Sequence, residues 1–150
     1  MSEQRAALAA IAQAATVPLA TASDGLGLLR QLAEGANTAE TRVEAAIKLH
    51  ELDRELGERT VLSLISPGQP RPLVPEWRLA LGRRIGDSDR RLGIKVLHQV
   101  ATASGVRPKL RLDATTAVTT LDWEQGSRLA DIVGRDPLVS VYLKSTERDQ

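Results

Sequence analysis

The sequence predicts an α+β fold: a helical N-terminal half, then a basic helix-turn-helix-like pair followed by a small sheet with one further helix. Three observations predict it. Ala and Leu recur at helical spacing through the first half, in a chain with no Phe. Four prolines fall between Ser66 and Pro75, the composition of an extended connector. Beyond Pro108 the pattern changes to alternation and Thr/Val-rich runs, as strands require. The chain thus divides into a helical region over 1–66, a connector over 67–75 and a winged-helix-like α+β region over 76–150.

Each element has its own signal. Ala7, Leu8, Ile11, Ala12 and Ala15 share one face of a first helix that Pro18 helps to end. Ser23 can cap a second, with Leu28, Leu29, Leu32 and Ala33 as its stripe and Gly35 as its stop. Thr41 and Glu44 have capping-box spacing, with Thr38 an equally good start, and Leu49, Leu52 and Leu56 carry that helix to Gly57. Val61 to Ile65 is ambiguous. After the connector, a helix over 76–85, a turn at Gly86-Asp87 and a Ser88-capped helix reaching Ala103 are expected. Strands follow at Leu110 to Ala114 and Ala117 to Leu121, then a helix capped by Asp122, then a strand over 138–143. No internal repeat of solenoid period is expected.

Charge is segregated. Residues 1–65 carry six Lys/Arg against nine Asp/Glu, residues 66–111 ten against three, and residues 112–150 four against seven. A basic island between acidic shoulders favours a polyanion or an acidic protein surface. Its cations Arg83, Arg84, Arg90, Arg91, Lys95, Arg107, Lys109 and Arg111 are the candidate nucleic-acid-binding residues. With Gly86 as turn glycine, residues 77–104 resemble a helix-turn-helix whose second helix enters a groove, and strands over 109–121 would be a wing. Asp87 and Lys95 depart from that pattern, standing where apolar residues are expected. Five phosphate contacts would give a salt slope of about −4.5.

Chemistry finds little support. The chain has no cysteine, hence no disulfide and no thiolate, which fits a reducing cytoplasm. His50 and His98 lack metal-ligand spacing. Gly25-Leu26-Gly27 is too short for a dinucleotide fingerprint. Thr102, four residues after His98, has no visible orienting group, and Asp87 with Asp89 is a carboxylate pair without a demonstrated cleft. No enzyme, cofactor or metal is expected. Glu3 beside Arg5, and Gln13, Thr16 and Pro18 within the Ala-rich run, argue against a signal peptide. No stretch approaches the roughly 20 apolar residues of a membrane span, so a cytoplasmic protein is expected.

Residues 24–57, with Leu28-Leu29-Arg30-Gln31-Leu32-Ala33, Thr41 to Leu49 and Leu56-Gly57, resemble helical hairpins of the small terminase subunits of tailed phages, and also HEAT-type helix pairs. The terminase resemblance implies a ring-forming, non-catalytic DNA-recognition protein of phage or bacterial type. The sequence-level expectation is a non-enzymatic DNA-binding homo-oligomer assembled through its N-terminal helices. The alternative is a protein-interaction or adaptor module with an acidic protein partner and no nucleic-acid role.

Overall fold

In a computed structural model, which describes residues 19–148 with side chains from Gly25 onward, the elements are α1 (Leu19–Gly35), α2 (Ala39–Leu52), α3 (Arg54–Leu64), α4 (Pro75–Ser88), α5 (Arg90–Thr102), α6 (Pro108–Leu121), α7 (Trp123–Gly134) and α8 (Pro137–Arg148). The helix expected near residues 7–15 lies outside the described residues. None of the eight is long and apolar enough to cross a membrane.

No strand occurs among the described residues, which overturns the α+β expectation. The expected strands and wing over 109–121 form α6 because its threonines satisfy themselves along the helix. The hydroxyls of Thr115, Thr116, Thr119 and Thr120 donate to the carbonyls of Arg111, Leu112, Thr115 and Thr116 at 2.8–3.1 Å. Bonding to the carbonyl four residues back removes the polar cost of a Thr-rich helix, at some loss of intrinsic propensity. The strand expected over 138–143 is α8: Pro137 opens it, and the Asp136 carboxylate accepts the Leu138 N–H at 2.9 Å. Of its alternating apolar residues only Val139 is buried.

Three helix junctions are built alike, and they reveal an internal repeat where none was expected. Asp53, Asp89 and Asp122 each form a one-residue connection with extended ψ, between α2 and α3, α4 and α5, and α6 and α7. Each carboxylate caps the next helix, accepting the N–H of Leu56, Leu92 or Gln125 at 3.0–3.2 Å. Four residues on stands Gly57, Gly93 or Gly126, where a Cβ would come within 2.3–2.4 Å of the Cα of His50, Gly86 or Thr119. The paired helices therefore cross at backbone contact. Eleven residues before each Asp stands Arg42, Arg78 or Arg111, so the shared spacing is R-x10-D-x3-G.

Arg42 and Arg111 belong to the fold. Arg42 is buried and donates from Nε to the Ala33 carbonyl at 3.0 Å and from Nη2 to the Arg71 carbonyl. Burial first, and Arg71 second, push its pKa down. Arg111 repeats the arrangement, with Nε on the Ala101 carbonyl at 2.8 Å and Nη1 on Asp136 at 3.0 Å. Ala33 and Ala101 lie in the last turns of α1 and α5, where carbonyls lack helical partners. Arg78 is half-buried, and burial lowers its pKa too.

The chain forms two compact units that divide between Leu73 and Val74. In the first, α1, α2 and α3 enclose Leu29, Val43, Leu49, Val61 and Leu64. The proline-rich stretch packs onto this unit: Leu73 is buried, its N–H donates to the Leu64 carbonyl, and Arg71 donates to the carbonyls of Gly35 and Ala36. In the second unit α4, α6 and α8 pack side by side, and α5 and α7 form a second layer against them. Leu97, Val100, Ala114, Val118, Leu129 and Val133 fill the space between the layers.

Candidate nucleic-acid interface

The α4–α5 pair that carries the basic island is a tight hairpin. A helix-turn-helix uses a turn of three or four residues, whereas α4 runs through Gly86 and Asp87 to Ser88, and Asp89 alone makes the connection. Gly86 is the point where α4 meets Gly93 of α5.

This geometry distributes the eight candidate cations. Arg107, Lys109 and Arg111 are drawn onto carboxylates: Arg107 donates to Glu76 at 2.9 Å, Lys109 lies 3.5 Å from Asp113, and Arg111 is buried against Asp136. Arg83 and Arg84 lie on the exposed side of α4, at the rim of a groove of about 290 Å³ between α4 and α6. Asp87, Thr116 and Thr120 share that rim, so its charge is mixed. Arg90, Arg91 and Lys95 are exposed on α5, in the other layer. Arg90 stands near the next corner: the Asp122 carboxyl is held below its ordinary value mainly by hydrogen bonds from Gln125, with a smaller part from the Arg90 charge.

The repeat gives the α5 charges a reference. Two residues after the corner aspartates stand Glu55, Arg91 and Glu124, and six residues after stand Arg59, Lys95 and Arg128. In α7 these positions form the ion pair Glu124–Arg128 at 3.1 Å. In α5 both positions are cationic, so they cannot neutralise each other. Arg91, Lys95 and His98 follow at intervals of four and three on one exposed helix face. Beside them, between α5 and α7, lies a second groove of about 170 Å³. Ile94, Val118 and Ile132 give it apolar walls, with His98, Gln125 and Arg128 as polar lining.

The remaining polar candidates have structural partners or places. The Thr102 hydroxyl donates to the backbone carbonyl of His98 at 2.9 Å, a helix-surface bond. Asp89 is engaged as a helix cap. His50 is buried beneath Gly57. Among the described residues no three of His, Asp or Glu converge as metal ligands.

No family model matches the chain, and no curated protein or solved structure matches it.

Sequence reasoning missed the corner motif, although its signal, Asp-x-x-x-Gly preceded by Arg at a fixed distance, stands at three places in the chain. Its separations of 36 and 33 residues lie within the range of helical repeat units.

Proposed function

We propose that this chain is a non-enzymatic binding scaffold made of repeated helix pairs, and that its second unit holds a nucleic acid by its phosphates. Repeated pairs hold their cores constant and leave the exposed ridge positions free to vary, which suits extended binding surfaces. The observation that carries the reading is the α5 ridge. Arg91 and Lys95 occupy positions where α7 has a self-neutralising pair, and Arg90 adds a third cation on a helix that contains no carboxylate. DNA is the polyanion proposed, and a cytoplasmic location fits a chain without cysteine.

Three phosphate contacts on duplex DNA give a salt slope of about −2.7, so a fourfold rise in salt weakens binding about 40-fold. Arg91→Glu with Lys95→Glu is expected to abolish binding, while Lys109→Ala, whose cation already faces Asp113, leaves it nearly unchanged. Fluorescence anisotropy of a labelled oligonucleotide measures both. Salt-independent binding, or equal losses in the two variants, would remove the α5 surface from consideration.

A protein partner is the second reading, favoured by Ile132, Leu138 and Val141, which are 54%, 63% and 65% exposed. It predicts association that survives high salt, and a second copy of the chain is one such partner. Light scattering across a concentration series would detect that copy.

A further inference from the structure

We infer that the second unit selects single-stranded over duplex nucleic acid, seating one unstacked base in the groove between α5 and α7. This rests on the phosphate-binding reading above and adds what the strand does with its bases.

The groove has the parts such a site needs. Its volume of about 170 Å³ is below the roughly 300 Å³ at which drug-sized sites begin, and suits one planar ring system. Ile94, Val118 and Ile132 supply apolar contact for the face of a base. The exposed imidazole of His98 can stack on it, as aromatic and guanidinium planes do with splayed-out bases. The side-chain amide of Gln125 can meet a base edge; its Nε2 already donates to Asp122 at 3.1 Å, which orients the group. Arg91 and Lys95 precede His98 by seven and three residues on the same helix face, so backbone and base sites are contiguous along α5. A base paired within a duplex cannot reach such a floor without leaving its stack. Ile132, which is 54% exposed, then has an occupant.

The larger groove between α4 and α6 fits the role less well. Asp87 shares its rim with Arg83 and Arg84, and the hydroxyls of Thr116 and Thr120 donate into their own helix.

The test is anisotropy with the full chain, comparing labelled oligothymidine of about 15 nucleotides with a duplex of equal length at low and high salt. The single strand is expected to bind about tenfold more tightly than the duplex at the same salt. His98→Ala with Ile132→Ser, both at exposed positions, is expected to erase that margin and leave duplex binding unchanged. His98→Ala alone is expected to lose a smaller part of it, and circular dichroism confirms that each variant is folded. Equal or tighter duplex binding, with salt dependence retained, overturns the base site and leaves the phosphate surface standing. A double variant that weakens both ligands equally also overturns the base site. Binding to neither ligand overturns both readings.

Discussion

Adding one methyl group at Gly93 should be among the most damaging small changes available in the second unit. A Cβ there would lie 2.4 Å from the Gly86 Cα, 2.7 Å from the Gly86 nitrogen and 3.0 Å from the Gly82 carbonyl oxygen. All three are backbone atoms, so no side chain can swing aside. Ordinary contact begins at 3.4 Å, so α4 and α5 must separate by about 1 Å along their closest approach. Overpacking of this kind costs about 1–3 kcal/mol, and rigid backbone on both sides places it at the upper end. Replacing a helical Gly by Ala returns about 1 kcal/mol of propensity. Gly93→Ala is therefore expected to destabilise by about 2 kcal/mol. Gly134→Ala, on α7 with nothing within 4 Å of its Cβ, is expected to stay within about 0.5 kcal/mol of the parent. Trp77 and Trp123 both lie in the second unit, so tryptophan fluorescence in a urea titration follows that unit. If Gly93→Ala proved as stable as Gly134→Ala, the close crossing, and with it the repeated corner, would be refuted.

Other substitutions probe the remaining parts of the repeat. Asp89→Ala removes the carboxylate that caps α5 and should cost about 1 kcal/mol in the same titration. Arg111→Ala strands the Ala101 carbonyl and leaves Asp136 without its cation. Because Asp136 is 27% exposed the loss should fall below the 3–5 kcal/mol of a fully buried pair, near about 2 kcal/mol. Hydrogen bonding from Arg111 first, and from the Leu138 N–H second, holds the Asp136 carboxyl below its ordinary 3.8. A carboxyl held low when folded binds fewer protons than in the unfolded chain. Its stabilisation is complete above the ordinary value and is lost as pH falls through the folded one. Stability measured by urea titration from pH 5 to pH 2 should therefore decline, and Asp136→Asn should make the decline shallower.

Much of the helical content was legible because its signals are local. Thr38 caps α2, Gly35 ends α1, and Asp122 caps the helix that Gly134 ends. The α6 segment misled because Thr and Val resemble a strand by propensity, while the bonds that make Thr acceptable in a helix form only once the helix exists. The break at Asp53 was hidden for a related reason. Leu49, Leu52 and Leu56 keep helical spacing across it, and a one-residue corner barely disturbs the sequence period. Gly86 looked like a turn because a glycine followed directly by an aspartate is a common turn signal. Its actual reason, the close approach of Gly93, joins residues seven apart on different helices. For the candidate interface, sequence revealed which residues are cationic but not which have carboxylates waiting. Glu76 and Asp136 lie 31 and 25 residues from the arginines they meet.

The repeat also explains why a basic segment is a poor guide to a basic surface in this chain. Arg42 and Arg111 each serve the end of a preceding helix, so the fold itself claims an arginine at that spacing in two of the pairs. With Arg42 and Arg111 set aside, the exposed ridge positions can be compared between helices. There the contrast is between helices: α7 places Glu124 against Arg128, and α5 places Arg91 beside Lys95. Two like charges four residues apart on a helix repel by a few tenths of a kcal/mol, a small intramolecular cost that an anionic ligand would convert into attraction. Glu at residue 91 would give α5 the same pairing with residue 95 that Glu124 and Arg128 make in α7, so Arg91→Glu removes the charge contrast between the two ridges.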